Sequence, residues 1–320
     1  MKDINEIERI KLGVFPTPIK KLENISKDLG VNVWIKRDDL TGVALGGNKV
    51  RKLEFLLAEA KAQGAEIVFT TGQAQSNHAM LTAACALKLG MTPILVLKNK
   101  GVTARKGNLF LEYLMGVDVR LIDAETYDEV YAEMDRIGQA SGKKYYKIPC
   151  GGSNALGSLG YVDCVKEISE QESSMNIKFS HIICAEGSGG THAGIALGAK
   201  IFMPDTKVIG MKVDTDPFET ITPNIARGTM KLLDVDFDLK DEDLNHLDCA
   251  GAGYAIPSEE GVAAIKYVAQ KEGLFFDPVY TGKAFGGLLR MAKEGKFNKD
   301  DNILFVYTGG AGGLFALDEI

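Results

Sequence analysis

Several features that would place a chain in a specialised class are scarce in this 320-residue sequence. The five cysteines lie far apart without a Cys-x-x-Cys pair and there are only four histidines, which argues against both a disulfide framework and a zinc site. No uncharged apolar run approaches the ~20 residues that span a bilayer. The first residues, 1–6, lack the apolar core of a signal peptide. We therefore expect reduced cysteines, no metal, no membrane association and a cytoplasmic location.

An excess of positive charge is also lacking. The chain has 37 basic and 43 acidic residues, a net charge of −6, and the charges are spread without blocks. Such a distribution offers no electrostatic footprint for nucleic acid or an anionic membrane. With 45% hydrophobic and 25% charged residues, the composition is that of an ordinary globular protein. A small molecule is the partner we expect.

From residue 50 onward, apolar runs of strand length alternate with segments of helical period. Predicted strands at 67–70, 94–97 and 119–122 are each followed by a predicted helix, at 80–89, 109–115 and 130–140. The helical segments end at four glycines spaced 26 residues apart, Gly64, Gly90, Gly116 and Gly142, and glycine readily adopts the left-handed conformation that ends a helix. This repeat predicts a parallel sheet with helical crossovers.

A second α/β region follows, with predicted strands at 181–185, 208–213, 274–276 and 303–307 and a less regular stretch around 215–258. A strand at 31–36 could pair with either region. We predict an α/β fold of two lobes, each an open, twisted, mainly parallel sheet flanked by helices. Residues 1–50 plus 148–320 would form the larger domain and 51–147 the smaller one. Ligands of such sheets bind beyond the carboxyl ends of the strands, so the cleft between the lobes is the expected site.

A lysine stands at a glycine-rich turn, in Gly46-Gly47-Asn48-Lys49, just before a helical pattern at 50–60. Such a lysine can act as a nucleophile if desolvation or nearby positive charge, here Arg51 and Lys52, lowers its pKa. Most lysines are simply surface charges, and this alternative stays open on the residues alone.

The segment Gln75-Ser76-Asn77-His78 lies between a predicted strand and a predicted helix. Ser76 and Asn77 suit the N-cap of that helix. The free amides at a helix start can also bind a carboxylate, which would leave Asn77 to bind a ligand. The two interpretations are compatible.

A glycine-rich segment, Gly187-Ser188-Gly189-Gly190-Thr191-His192-Ala193-Gly194, follows a predicted strand and opens a helix. This arrangement is typical of a phosphate cradle built from backbone amides. The Gly-x-Gly-x-x-Gly spacing of a dinucleotide site is not met, although Asp214 ends the following strand. A monophosphate is therefore favoured. His192 is either a packed residue or, less favoured, a catalytic base.

Two further segments, residues 277–283 and 307–313, each follow a predicted strand, so we expect both at the same rim of the cleft. Together with Phe15-Pro16-Thr17-Pro18, Trp34-Ile35-Lys36-Arg37-Asp38-Asp39 and Gly151-Gly152-Ser153-Asn154-Ala155-Leu156-Gly157, the motifs in this order resemble the pyridoxal-phosphate (PLP) enzymes of fold type II, the tryptophan synthase β-subunit fold. The resemblance covers nearly the whole chain. It is strongest to the branch of D-cysteine desulfhydrase and 1-aminocyclopropane-1-carboxylate deaminase.

The resemblance implies a role for each motif. Lys49 would carry PLP as a Schiff base in the cleft, and either its freed amine or Tyr280 would remove the Cα proton of a small amino-acid substrate. The other implied cofactor contacts are Asn77 at the 3′-oxygen, the phosphate cradle of Gly187, Ser188, Gly189, Gly190 and Thr191, Tyr280 against the ring, and Thr308. The implied substrate contacts are Ser76, Asn77 and His78 at the carboxylate, with Tyr254 and Thr281. A homodimer is implied as well.

Two positions favour one branch. Where deaminases of this type have an acidic residue for the pyridine nitrogen and a later apolar residue, this chain has Thr281 and Thr308. A neutral hydroxyl leaves the ring a weaker electron sink, which suits β-elimination better than ring opening. We therefore predict a lyase that converts D-cysteine to pyruvate, ammonium and hydrogen sulfide. The small residues near Ala74 and Gly312 would enlarge the pocket for another β-leaving group, such as the sulfonate of L-cysteate or an amine. Aminocyclopropane-carboxylate is the alternative substrate that the deaminase branch implies, and a non-catalytic PLP carrier and an NAD-dependent oxidoreductase are alternatives of other classes.

Overall fold

The computed structural model describes the backbone of residues 1–320 and every side chain except that of Asp241. Its strands form two sheets. The large sheet has six strands in the order β1 (Ile19–Lys21), β2 (Asn32–Arg37), β10 (Asn302–Tyr307), β7 (His181–Glu186), β8 (Lys207–Lys212) and β9 (Asn245–Asp248). The small sheet has four, in the order β5 (Asp118–Ile122), β4 (Thr92–Lys98), β3 (Ile67–Thr70) and β6 (Tyr145–Lys147).

All strand pairs are parallel except the β1–β2 pair at the edge of the large sheet. The helices that connect and cover the strands are α1 (Glu23–Leu29), α2 (Lys49–Ala62), α3 (Asn77–Lys88), α4 (Gly107–Leu114), α5 (Tyr127–Ser141), α6 (Ala155–Met175), α7 (Gly190–Phe202), α8 (Phe218–Leu232), α9 (Glu259–Glu272), α10 (Thr281–Lys293) and α11 (Ala311–Leu314). Short 3₁₀ turns occur at Ile4–Glu6, Asp38–Leu40, Cys150–Gly152 and Asp241–Asp243. Within the described part of the chain, no helix is both long enough and apolar enough to cross a membrane.

The two-sheet α/β architecture predicted from the sequence is confirmed, including the repeat between residues 64 and 142. The four glycines of that repeat have φ values of +73°, +72°, +71° and +65°, the left-handed conformation expected where a helix ends. The strand predicted at 31–36 pairs with β10 and so belongs to the large sheet. The division at residues 50/51 and 147/148 into two domains remains our proposal, which the separation of the sheets supports.

One predicted strand is wrong. Residues 274–276 form an extended connection outside either sheet, because β10 is already paired on both sides, with β2 and with β7. Phe276 is fully buried and its ring packs 4.7 Å from that of Tyr307 and 5.5 Å from that of Phe305. Of this apolar run, Phe276 belongs to the core, whereas Phe275 is exposed. The stretch at 215–258 holds α8 and the short polar edge strand β9, neither of which the pattern predicted.

Candidate active site

A cavity of about 400 Å³ lies where the carboxyl ends of the strands of both sheets meet. Its volume is in the range of small-molecule sites. Eleven of the thirteen predicted site residues line it: Lys49, Ser76, Asn77, His78, Gly187, Ser188, Gly189, Thr191, Tyr254, Tyr280 and Thr308. Gly190 and Thr281 are the two that do not.

Lys49 is the first residue of α2 and its side chain faces the cavity. The turn before it is anchored to the end of β10, because Asn48 N donates to Thr308 O at 3.0 Å. Gly46 must be glycine there, since a Cβ would lie 1.8 Å from the carbonyl oxygen of Asp39. Burial lowers the pKa of Lys49 to about 8. A lysine amine with such a pKa is a competent nucleophile near neutral pH.

The two basic neighbours of Lys49 differ in what they contact. Arg51 points into the protein, where its guanidinium pairs with Asp38 at 2.8 Å and Glu167 at 3.0 Å, so its charge is compensated away from the cavity. Lys52 is fully buried and donates to Gly151 O at 3.1 Å and Ser153 Oγ at 3.0 Å. Burial, and then the charge of Lys49, lower the pKa of Lys52 well below its usual value.

Residues 187–191, which we call the phosphate loop, connect β7 to α7. Gly189 is the N-cap of α7 and no side chain caps that helix, so its first amides are left for a ligand. Gly189 has a φ of +78°. Gly190 does not line the cavity, but a Cβ there would lie 2.6 Å from Ser153 Oγ and 2.9 Å from Lys52 Nζ. The Lys52 amine therefore lies beside the phosphate loop, and the sequence pattern did not reveal it as a ligand.

The segment at the start of α3 folds as predicted. Ser76 is the N-cap residue, and its Oγ accepts from Ala79 N at 3.2 Å. The imidazole of His78 is held by Thr70, with 2.8 Å between Nε2 and Oγ1. Burial, followed by the charges of Lys49 and Lys52, lowers the pKa of His78 well below its usual value, so this ring stays neutral.

Tyr254 and Tyr280 face each other across the cavity wall, and their hydroxyl groups are hydrogen-bonded. The Tyr254 loop is held by the buried Lys283, whose Nζ donates to Ala250 O at 2.6 Å and to Gly253 O at 2.7 Å. Burial raises the pKa of Tyr280 well above its usual value, and Tyr254 raises it further. Tyr280 is thus a neutral phenol that can hold or donate a proton.

Thr281 does not have the place we predicted. It is fully buried and its hydroxyl donates to Asp277 Oδ1 at 2.6 Å, across the turn that precedes α10. The Thr281 hydroxyl is therefore already engaged in an internal hydrogen bond, and the predicted substrate contact by Thr281 is not supported. Thr308 at the end of β10 does line the cavity and is the neutral hydroxyl available to a ligand.

Several lining residues were missed: Lys98 ends β4, Tyr127 and Tyr131 lie on the first turns of α5, and the others stand on turns or loops. These additional residues are Lys98, Tyr127, Tyr131, Cys150, Asp214 and Asp216. The Cys150 Sγ donates to the Tyr127 hydroxyl at 3.4 Å. All five cysteines are free. In the sequence these are isolated polar residues outside any motif, which is a weak signal.

His192 is a packed residue, as favoured from the sequence. It is fully buried, and its Nδ1 lies 2.9 Å from Glu186 Oε1, while His246 Nδ1 lies 2.7 Å from Oε2 of the same carboxylate. The three side chains are close enough to hold a metal ion. In the observed geometry, however, the two Nδ1 atoms are each hydrogen-bonded to one oxygen of the Glu186 carboxylate.

A half-buried lysine amine and a glycine-lined helix N-terminus on the same cavity define a site for a phosphorylated carbonyl cofactor. The family model for the pyridoxal-phosphate dependent enzymes matches residues 10–309, and the chain belongs to that family. It is 43% identical to a D-cysteine desulfhydrase of Yersinia pestis (strain Pestoides F), over 98% of this chain and 97% of that protein. It is 39% identical to a putative 1-aminocyclopropane-1-carboxylate deaminase of Pyrococcus abyssi (strain GE5 / Orsay), over 99% of this chain and 96% of that protein.

A crystal structure of an ACC deaminase homologue superposes with a TM-score of 0.90 at 40% identity, covering 98% of this chain and 94% of that one. The predicted family and its fold type are thereby confirmed. PLP is the cofactor of this family, and the residues present fit it. Lys49 offers the amine, the amides of the phosphate loop with Lys52 offer the anion site, and substituting Gly187 would place a Cβ 2.9 Å from the Tyr280 ring. The roles of individual residues remain proposals.

Proposed function

We propose that the protein converts D-cysteine and water to pyruvate, ammonium and hydrogen sulfide. The relative named D-cysteine desulfhydrase, 43% identical over nearly the full length, supports this substrate. The observation that carries the proposal is the convergence of Lys49, Ser76 and the Tyr254–Tyr280 pair on one cavity. These groups match the three needs of the reaction, which are a proton acceptor at Cα, a carboxylate anchor and a proton-holding group near the leaving atom.

Bound PLP supplies an electron sink that weakens the Cα–H bond of an attached amino acid. The amine of Lys49, with a pKa of about 8, is the group we assign to remove the Cα proton. Ser76 and the first amides of α3 would hold the carboxylate, because the start of a helix favours an anion. The neutral phenol of Tyr280 would donate a proton to the departing thiolate, since burial keeps it protonated.

Thr308 favours elimination over ring opening. We assign the pyridine nitrogen to Thr308 and no longer to Thr281, because the Thr281 hydroxyl is hydrogen-bonded to Asp277 whereas Thr308 lines the cavity. A hydroxyl beside the pyridine nitrogen cannot stabilise a protonated ring as a carboxylate does, so the electron sink is weaker. Loss of a β-thiolate needs less from the sink than cleavage of a cyclopropane ring. Deamination of aminocyclopropane-carboxylate is nevertheless the second candidate, because a relative and a structural neighbour carry that name.

The test is release of sulfide and pyruvate by the purified protein from D-cysteine and L-cysteine. L-cysteate and 1-aminocyclopropane-1-carboxylate are assayed alongside, with sulfite and 2-oxobutyrate as the respective products measured. Turnover of D-cysteine with a kcat/KM well above that of the other three is the expected outcome. Silence with D-cysteine and turnover of another substrate would refute the substrate while leaving the family untouched.

Lys49→Ala, with exposed Lys61→Ala on the same helix as the matched control, tests the amine. Removing a general base costs roughly 10²–10⁴-fold in rate, and losing the cofactor attachment as well should make the loss larger. Lys61→Ala should behave as the parent. Full turnover by Lys49→Ala would contradict the assignment.

We also propose a homodimer in the cytoplasm, working on a small amino acid without nucleic acid or membrane. The family resemblance supports the dimer, and the five free cysteines suit a reducing compartment. Light scattering coupled to size exclusion measures the mass directly. A value near 69 kDa, twice the 34.6 kDa of the chain, is expected, and a monomer mass would refute the dimer.

A further inference from the structure

Asn108, on the first turn of α4, contacts the segment that carries Asn77. Asn108 is buried, and its backbone N donates to Gln75 Oε1 at 2.9 Å. Its side-chain Nδ2 donates to Gln75 O at 3.0 Å and to Asn77 Oδ1 at 3.4 Å. The side chain of Gln75 in turn donates to Val102 O at 2.9 Å and Lys106 O at 3.1 Å. The start of α3 is thus fastened to the start of α4.

The contact determines which way the Asn77 amide faces. An amide has an acceptor end and a donor end, and the acceptor end of Asn77 is turned toward the Nδ2 of Asn108. The donor end, Nδ2, therefore faces the other way. It lies 3.7 Å from the position that a Cβ on Gly47 would occupy, two residues before Lys49. Asn77 consequently presents N–H groups toward the turn that carries Lys49.

Gly312 of α11 closes the space behind Asn108. A Cβ built on Gly312 would lie 2.0 Å from Asn108 Oδ1. That oxygen is buried and has no hydrogen-bond partner in the described part of the structure. The orientation of the Asn108 amide is therefore selected by the two bonds that its Nδ2 donates, and the room for it exists because residue 312 lacks a side chain.

We propose that Asn108 is a positioning residue that keeps the donor end of Asn77 directed at the cofactor oxygen beside the Schiff-base carbon, and that Gly312 is glycine to make room for it. The inference rests on the proposed cofactor contact of Asn77. It identifies a residue outside the cavity that acts through Asn77. It also connects α11, which follows the large sheet, to the small-sheet side of the site.

Two variants break the arrangement in different ways. Asn108→Asp keeps the shape but replaces the donor by an acceptor, so Asn77 should turn its own N–H groups toward residue 108. Gly312→Ala pushes Asn108 aside without changing any polar group. Gly313→Ala is the matched control, because it lies in the same helix and its Cβ would meet only a side-chain carbon at 4.0 Å.

The readouts are the PLP dissociation constant of the apoprotein and the pH dependence of the absorbance of bound PLP. A hydrogen bond to a charged oxygen is worth about 10- to 100-fold in binding, so both Asn108→Asp and Gly312→Ala should weaken PLP binding by at least about tenfold. The midpoint pH at which the absorbance of bound PLP changes should rise, because the ionised 3′-oxygen loses a hydrogen-bond donor. Asn77→Ala should do the same, and Gly313→Ala should match the parent.

If Asn77→Ala weakens PLP binding while Asn108→Asp and Gly312→Ala behave as Gly313→Ala does, the positioning role is overturned and the Asn77 contact stands. If Asn77→Ala itself leaves PLP binding and absorbance unchanged, both are overturned. Neither readout uses an amino-acid substrate. A wrong choice of D-cysteine would therefore appear only in the turnover assay and leave this test intact.

Discussion

At the scale of single residues, the chemistry of Lys49 is set by its surroundings rather than by a neighbouring charge. Its amine is desolvated at the wall of the cavity, and burial disfavours the ammonium form. Arg51, two residues on, has its charge compensated by Asp38. The neutral amine is therefore accessible near physiological pH, where a free lysine would be almost entirely protonated.

This lowered pKa predicts how the apoprotein takes up PLP. Only the neutral amine attacks the cofactor aldehyde, so the rate constant of uptake should rise about tenfold per pH unit below pH 8 and level off above it. Stopped-flow absorbance between pH 6 and pH 10 measures it. Because the folded-state pKa is depressed, the rise ends near pH 8 rather than near the ordinary lysine value. A rate that keeps climbing to pH 10 would contradict the desolvated amine.

Tyr280 should matter for loss of the leaving group and not for removal of the Cα proton. Tyr280→Phe removes a proton donor, which costs roughly 10²–10⁴-fold in rate, and we expect that loss in sulfide release. Exchange of the Cα hydrogen of D-alanine with deuterated water, which involves no leaving group, should persist because the Lys49 amine is intact. Proton NMR follows the exchange.

Tyr267→Phe is the control for that pair of assays. Its hydroxyl donates to Asp28 on the surface at 3.1 Å, far in sequence from the phosphate loop and not among the residues that line the cavity, so neither rate should change. If Tyr280→Phe abolishes exchange and elimination equally, Tyr280 is the group that removes the Cα proton. The raised pKa of Tyr280 favours the expected result, in which Tyr280→Phe loses sulfide release but keeps Cα exchange.

At the scale of elements, the sequence predicted the units whose signals are local. Gly64 and Gly90 follow the ends of their helices with φ values of +73° and +72°, a conformation that glycine itself favours. Residues 274–276 have an equally strong apolar pattern, but whether an apolar run becomes a strand depends on a free sheet edge, which is a property of the assembled fold. Thr281 fails for a different reason, since its hydroxyl bonds to Asp277, only four residues away, a local contact that the motif did not reveal.

The residues of the candidate site also divide into those with a local sequence signal and those that depend on long-range contacts. Glycine-rich turns and helix starts, such as those at Lys49 and Ser76, carry their function in a short stretch of sequence. Lys52 and Asn108 act through contacts across 101 and 31 residues of chain. A single sequence holds no trace of which distant backbone or amide such a side chain will reach.

Helix α2 is held by a buried ion-pair network behind Lys49. Asp38 accepts hydrogen bonds from Arg51 at 2.8 Å, from Thr17 at 2.8 Å and from Tyr161 at 2.6 Å. Asp38→Asn should destabilise the protein by about 3–5 kcal/mol, because it leaves the buried guanidinium undercompensated. Urea unfolding measured by circular dichroism gives the free energy of unfolding.

The control for this network is the pair of Glu133 and Arg136 on α5, in which the arginine side chain is 67% exposed. Glu133→Gln should cost no more than about 1 kcal/mol, as exposed pairs do. Equal losses in the two variants would show that the buried network does not hold α2. The comparison separates burial from the mere count of ion pairs.

At the scale of the whole molecule, the two sheets meet at a cavity whose walls they share. Asn77 comes from α3 beside the small sheet, whereas the phosphate loop and Thr308 follow strands of the large sheet. A ligand that contacts both sides stabilises the native arrangement of both. PLP should therefore couple the unfolding of the two sheets as well as supply chemistry.

The single tryptophan makes this coupling measurable. Trp34 lies in β2 of the large sheet, so its fluorescence follows that sheet, while far-ultraviolet circular dichroism follows both. Free PLP at a concentration of ~100 times its dissociation constant stabilises the native state by ~2.7 kcal/mol. The unfolding free energy falls by ~3 kcal/mol per M urea, so removing PLP should lower the urea midpoint by about 1 M. In the apoprotein the circular dichroism and Trp34 signals should have different midpoints, and with PLP the two should coincide. Identical midpoints with and without PLP would mean that the cofactor does not hold the sheets together.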